Sequence, residues 1–222
     1  MSVNNVIPRS PTKTTIVMRK SKTEIKILTA AKKVFMEKGL EATSMGDIAE
    51  EAKISRPSLH YYFRTKENLF LAIYKDILEE FMPELGEIVR GKESPENKVR
   101  LFVGRYVALL AETPLVPQFV FREISRDPST IANLFFTLEG QYGNIAYTTQ
   151  LLENFAKKKK IKNFNAFQYC LSVYGQCVFP FLSLPVLKAT VFKKNPGFYN
   201  DFVEQVKEHV TRSALAALGI DK

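Results

Sequence analysis

The chain of 222 residues has only two cysteines and two histidines, and their scarcity removes several kinds of chemistry. Cys170 and Cys177 stand seven apart in what reads as one helix. A rise of about 1.5 Å per residue then separates their Cα atoms by roughly 10 Å, too far for a disulfide. With no Cys-x-x-Cys pair and only His60 and His209 to add nitrogen ligands, two helix-packing thiols are expected, with no metal and no cofactor. Also missing are a Ser-His-Asp or Cys-His arrangement, paired carboxylates with a pocket signature, an HExxH and a glycine-rich phosphate loop, which speaks against an enzyme. No apolar run approaches the roughly 18 to 20 residues of a membrane span. Nor does an apolar segment follow the basic N-terminal residues as in a secretion signal. A cytoplasmic protein with no membrane partner is expected.

What is present can bury a core: 45% of the residues are hydrophobic and 25% are charged. The net charge of +9 is unevenly placed. Residues 1–66 hold 13 Lys/Arg against 6 Asp/Glu, or +7, and residues 67–222 hold 19 against 17, or +2. A positive field concentrated at one end suits a polyanion such as DNA, although RNA and anionic lipid answer to the same signal.

Residues 1–22 read as a basic flexible arm without an apolar stripe, in which Arg9, Lys13, Arg19 and Lys20 are candidates for a minor-groove or phosphate contact. Met18 is an alternative start. From Glu24 to Lys38, the spacing of Ile27, Leu28, Ala31, Val34 and Phe35 predicts an amphipathic helix with Gly39 just past its end. Ser44 and Asp47 make a capping box for a short second helix through Ile48 and Ala49. Ser55 caps a third that opens Arg56-Pro57-Ser58 and buries Leu59 and Phe63. Thr65 caps a fourth, with Leu69, Phe70, Ile73, Ile77 and Phe81 on its buried face, until Pro83 ends or kinks it.

Farther on, Ser94-Pro95, Asp127-Pro128 and Asn195-Pro196 each read as a cap followed by proline in the first turn. One long helix is expected to carry Ile131 through Phe155, and two more are expected at about 165–184 and 196–218. No segment alternates with the period of a strand. The fold class is therefore all-α with about nine helices. It divides into an arm at 1–22, a head at 23–67 and a helical body at 68–222.

The head carries Ile27-Leu28-x-Ala30-Ala31, Phe35-x3-Gly39-x3-Thr43-Ser44, Ile48-Ala49, Ile54-Ser55, Leu59, Tyr62-Phe63 and Lys66-Glu67. In that order and spacing it resembles the N-terminal DNA-binding domain of the TetR (tetracycline repressor-like) family. The resemblance implies a helix-turn-helix that lays its second helix in the major groove of double-stranded operator DNA. Arg56 and Ser58 would read bases, unless Arg56 only touches a phosphate. Pro57 would meet a thymine methyl or shape the helix start. His60 and Tyr61 would enter the groove or reach phosphates, and Tyr62 would donate to a phosphate. Packing is the alternative for both tyrosines. Ser44, Ser55 and Lys66 complete the candidate DNA-binding set, Ser44 and Lys66 as grips on the backbone at helix N-termini.

Two positions depart from the family pattern, which usually has tyrosine where His60 stands and glycine where Lys53 stands. A lysine forced into the left-handed region would cost roughly 1 kcal/mol, unless the turn is altered. His60 would make binding mildly pH-sensitive near neutrality. The resemblance further implies a homodimer through helices about 165–184 and 196–218. Ala214, Ala216 and Ala217 allow close approach there, while Phe202, Val206 and Val210 supply apolar area; core within one subunit is the other use of these side chains. A small-molecule effector is expected in the body, with Phe102, Tyr106, Phe119, Phe135, Tyr142, Cys170 and Tyr174 as candidate contacts. A pivot is expected near Met82-Pro83. A ligand-responsive repressor is thus expected, the alternative being a regulator or architectural protein with the same head and no effector.

Overall fold

Side-chain oxygens set most of the helix starts. Ser21, Ser44, Ser55 and Thr65 each accept the amide three residues on, opening α1 (Lys22–Ala42), α2 (Met45–Glu51), α3 (Arg56–Tyr62) and α4 (Lys66–Arg90). Ser94 and Asp127 cap α5 (Pro95–Glu112) and α7 (Pro128–Tyr142), each with proline in the first turn, as expected. Between them lies α6 (Leu115–Arg126), and Asn165 caps α9 (Ala166–Leu182). The remaining segments are α8 (Asn144–Lys159), α10 (Leu184–Ala189), α11 (Val191–Lys194) and α12 (Phe198–Ala217). This computed structural model describes residues 20–194 and 197–220. Among them there is no strand, and the all-α class holds.

Among the described residues the segments number twelve because two expected helices are broken. The long helix from Pro128 to Phe155 divides at Gly143, which takes φ 61. The Glu139 carboxylate then accepts the amides of Ile145 and Ala146, both at 3.0 Å, and starts α8. The helix expected at 165–184 stops at Leu182, and two short pieces follow it. Gly39, expected just past the first helix, does leave helical geometry at φ 76, and one more turn continues to Ala42. The Asn195-Pro196 pair and the arm residues Arg9, Lys13 and Arg19 lie outside the described residues.

Two apolar clusters hold the chain together. The first joins the head to α4 and reaches α6 and α7: Ile27, Phe35, Ile48, Leu59, Leu69, Phe70, Phe119 and Leu138 are all buried in it. The second packs α5 against α9 and α12 through Val103, Val107, Val173, Cys177, Phe181, Val210 and Ala214. Each valine, leucine, isoleucine or phenylalanine among them contributes about 1.5–3 kcal/mol when fully buried. Val210 and Ala214, expected as dimer contacts, are thus core within one subunit. Phe202 and Val206 are partly buried against the same cluster. Burial pushes the thiols of Cys170 up to about 11 and Cys177 up to about 12, so both stay protonated packing groups at neutral pH.

One expectation needs correcting. By length and composition alone, Ala166–Ala189 is long and apolar enough to cross a membrane, with a mean hydropathy of 1.6 over 18 residues. Gln168, Ser172 and Gln176 interrupt the apolar run, but uncharged polar residues lower the average little. Val173, Cys177 and Phe181 on one side of α9 are buried in the second cluster, while Phe167, Leu171 and Phe179 are exposed.

Candidate nucleic-acid interface and effector cavity

The turn between α2 and α3 fixes which residues of α3 face outward. Lys53 donates to Glu50 O at 2.9 Å and Ile54 to Ala49 O at 3.0 Å, the paired bonds of a Schellman stop, with Lys53 at φ 50. Leu59 and Phe63 then turn inward, so Ser55, Arg56, Pro57 and His60 are exposed and Ser58 is half-buried. Ser58 gives its amide to Ser55 Oγ at 3.2 Å. Tyr61 is 85% exposed, which rules out packing as its role, and Tyr62 at 36% stands edge-on to it with ring centroids 5.4 Å apart. His60 Nδ1 lies 3.2 Å from Arg64 O.

The Arg56 guanidinium lies across Gly46 of α2; a Cβ there would stand 2.9 Å from Cζ. Glycine at 46 therefore leaves the arginine its resting place, a requirement that no cap or periodicity revealed. Two of the three acids of α2 are answered by α1: Lys38 Nζ lies 2.7 Å from Asp47 and Lys33 Nζ 2.8 Å from Glu51. Ser44 Oγ donates to Asp47 at 2.6 Å while accepting the Asp47 amide. The Lys38 ammonium, with the Ser44 donors, holds the Asp47 carboxyl well below the usual carboxylate range. The exposed edge of α3 thus keeps its positive character.

Two basic residues differ from expectation. Lys66 gives its ammonium to three main-chain carbonyls, Leu40 O at 2.9 Å, Glu41 O at 3.1 Å and Thr43 O at 3.3 Å. An ammonium has three N–H donors, so in this geometry Lys66 ties the α1–α2 junction to α4 and has none left for a phosphate. Lys20 pairs with Asp76 of α4. Sequence reasoning missed the ion pair of Arg122 on α6 with Glu41 at the end of α1, which joins body to head; partners 81 residues apart leave no local pattern.

In the body, a cavity of about 290 Å³ lies between α4, α5, α8 and α9. Leu85, Val89, Phe102, Ile145, Leu152 and Tyr174 give it apolar walls, and Cys170 joins them. Lys98 and Lys158 are its charged lining residues. Of the expected effector contacts, Phe102, Cys170 and Tyr174 reach this space. Tyr106 stands behind them, its ring 5.7 Å from Phe102 and 5.2 Å from Tyr174. Phe119 stacks on Phe70 at 4.2 Å in the seam with the head, Phe135 is exposed, and the Tyr142 hydroxyl turns to Glu79 O. Helical spacing marked these rings as inward or outward without saying which neighbouring helix they meet. A wider groove of about 1000 Å³ beside α12 is lined by mixed charges, among them the Arg100–Glu96 pair, and offers no apolar enclosure. Among the described residues no group of three or more His, Cys, Asp or Glu is placed to hold a metal ion.

The profile of the family described as bacterial regulatory proteins, tetR family, matches residues 27–73. Over these residues the chain carries the head of the TetR family. Similar curated proteins include the fatty acid metabolism regulator protein of Bacillus subtilis (strain 168), 25% identical over 87 residues that make up 39% of this chain and 45% of the relative. The uncharacterized HTH-type transcriptional regulator YfiR of the same strain is 41% identical over 42% of this chain and 43% of its own. The HTH-type transcriptional regulator QacR of Staphylococcus aureus (strain Mu50 / ATCC 700699) is 48% identical over 48 residues, 22% of this chain and 26% of its own. The chain thus matches less than half the length of these relatives.

The fold is shared over much more. FadR from Bacillus subtilis in complex with stearoyl-CoA covers 87% of this chain and 98% of its own at a TM-score of 0.62 and 16% identity. FadR from Bacillus halodurans covers 89% and 96% at 0.65 and 17% identity.

As a TetR-family head this one keeps the usual turn with an unusual residue. The structure settles how Lys53 is accommodated: it takes the left-handed conformation that glycine adopts without strain. Lys53→Gly should therefore stabilise the protein by about 0.5–1 kcal/mol, a rise in Tm of roughly 1–4 °C, while reducing DNA affinity by removing an exposed charge. Thermal melts beside a salt titration of DNA binding check both signs; a lower Tm would mean that the turn is unstrained.

Proposed function

We propose that this chain with its TetR-family head is a ligand-responsive repressor that binds palindromic duplex DNA as a homodimer in the cytoplasm. The observation that carries the proposal is the first turn of α3, where Ser55, Arg56 and Pro57 are exposed above a buried Leu59 at the basic end of the chain. A helix presented this way fits the major groove. Arg56 is offered as the base reader with Ser58 beside it, and His60, Tyr61 and Tyr62 follow along the same helix toward groove and phosphates. Ser44 offers the N-terminus of α2 to the strand, and Lys66 acts by holding the α1–α2 junction in place.

The second copy is assigned to the outward face of α9, where Phe167, Leu171 and Phe179 are exposed with Gly175 between them, and to Ala216 and Ala217 of α12. An apolar stripe of this kind, on a helix clamped along its other side, accounts for the high hydropathy of Ala166–Ala189 without a bilayer. Selecting bound duplexes from a random pool tests the whole proposal. The expected result is a palindrome whose half-site centres lie about 34–36 Å apart. No enriched sequence in low salt, or a single half-site bound by a monomer, would overturn it.

The effector is assigned to the apolar cavity. Its walls and two lysines suit a molecule with a long apolar part and an acidic or phosphorylated end, and the FadR relative was solved with stearoyl-CoA. Stearoyl-CoA and free stearate are therefore the first compounds to try in thermal-shift and operator-release assays; an architectural protein would respond to neither.

A further inference from the structure

The geometry points to Asn144 as the residue through which occupancy of the cavity is read. Its carboxamide is shared between the cavity wall and the Pro83 turn of α4, which runs unbroken from Lys66 to Arg90 where an end or a kink was expected, and a ligand with a hydrogen-bonding group draws on it. The inference rests on the ligand-responsive reading above and specifies where the response begins.

Pro83 lies inside α4 and has no N–H, so Glu79 O loses its helical partner. The body supplies a replacement there and a further tie one turn on: the Tyr142 hydroxyl donates to Glu79 O at 3.4 Å, and Asn144 Nδ2 donates to Met82 O at 2.7 Å. On the other side of the amide, Asn144 Oδ1 accepts from Arg90 Nη1 at 2.5 Å. Arg90 Nη2 reaches back to Tyr142 O at 3.0 Å and Gly143 O at 3.4 Å. A carbonyl can only accept and a guanidinium can only donate, so these partners fix the amide's orientation.

Two glycines make room for the arrangement. The left-handed Gly143 breaks α7 from α8 and puts Asn144 at the start of α8. A Cβ at Gly86 would stand 3.2 Å from Asn144 Oδ1 and 2.8 Å from Arg90 Nη1.

Asn144 is 1% exposed and lines the cavity. The other fully buried polar residues among those described, Thr43, Glu123 and Thr211, do not line it. An apolar chain alone leaves the network intact. A carboxyl or thioester carbonyl placed beside the amide offers Asn144 Nδ2 a second acceptor, and drawing the amide off Met82 O loosens the tie between α8 and the helix that leads to the head. Asn144 is thus a positioning residue for α4.

Asn144→Leu, close in volume, and Asn144→Asp, which keeps an acceptor for Arg90 but presents a carboxylate to Met82 O, test this together. The readouts are amide exchange over 82–90, operator affinity with and without stearoyl-CoA, and the thermal shift that stearoyl-CoA produces. Both variants should exchange about tenfold faster over 82–90 without ligand, as expected when a buried hydrogen bond is lost. Both should keep the thermal shift, and the drop in operator affinity caused by stearoyl-CoA should shrink by about tenfold. Exchange at the wild-type rate overturns the inference whatever the ligand does, as does a full stearoyl-CoA response in both variants. Should the wild type bind no operator, the repressor proposal fails, and the exchange measurement still decides whether Asn144 steadies α4 beside Pro83.

Discussion

An Arg56→Glu protein should fold, dimerise and melt like the wild type and yet lose about a hundredfold or more in operator affinity. The fold is spared because Arg56 is exposed at the first position of α3, where a carboxylate is favoured by the helix dipole. Binding is not spared. A bidentate guanidinium contact to guanine is worth about 1–3 kcal/mol, and a carboxylate in the same place adds repulsion from the phosphates. Milder changes separate the two uses of the side chain. If Arg56 reads a base, Arg56→Ala relaxes specificity at one position of each half-site, and Arg56→Lys, which keeps the charge without the fork, relaxes it too. If Arg56 only touches a phosphate, all sequences weaken together and the salt slope falls by about one. Operator titrations at several salt concentrations give both answers, and undiminished binding by Arg56→Glu would remove α3 as the reading helix.

The head was legible from sequence because its determinants are local. Ser44, Ser55 and Thr65 cap the helices they precede, and each bond spans three residues. Leu59 and Phe63 face inward as their spacing requires. The lysine at the turn was left open, since residue type alone could not say whether the turn or the lysine would give way. In the body the determinants are distant. Glu139 caps α8 across the Gly143 break, six and seven residues on, so an apolar pattern running through Gly143 read as one helix.

The cavity was half-legible for the same reason. Phe102, Cys170 and Tyr174 were found by being aromatic or soft on inward faces. Asn144, a single asparagine after a glycine, gave no sign that Met82 and Arg90 would meet its amide across more than fifty residues. Lys66 was misplaced because a basic residue at a helix start suits a phosphate and a set of main-chain carbonyls equally well. The family profile itself ends at residue 73, inside α4. The helices beyond that point pack through pairings such as α5 with α12, whose partners are too far apart in the chain to leave a local pattern.

Leu171→Glu should convert the protein to a monomer at micromolar concentration and lower operator affinity by about two orders of magnitude. Leu171 is 62% exposed in the middle of the α9 stripe, four residues from Phe167, eight from Phe179 and beside Gly175, whose outward side is open space. In a twofold interface every substitution occurs twice, so one glutamate brings two carboxylates into an apolar seam. Covering a leucine or phenylalanine contributes about 1.5–3 kcal/mol, and the stripe supplies three from each subunit. The loss on DNA comes from geometry: two heads held one turn apart bind a palindrome with the effective concentration of a tether, and a lone head does not. Phe136→Glu is the control, because Phe136 is at least as exposed but sits on α7. Sedimentation should show a dimer for Phe136→Glu and a monomer for Leu171→Glu. If Leu171→Glu stays dimeric and still binds its operator, the second copy sits elsewhere, and the apolar face of Ala166–Ala189 must be covered by something other than itself.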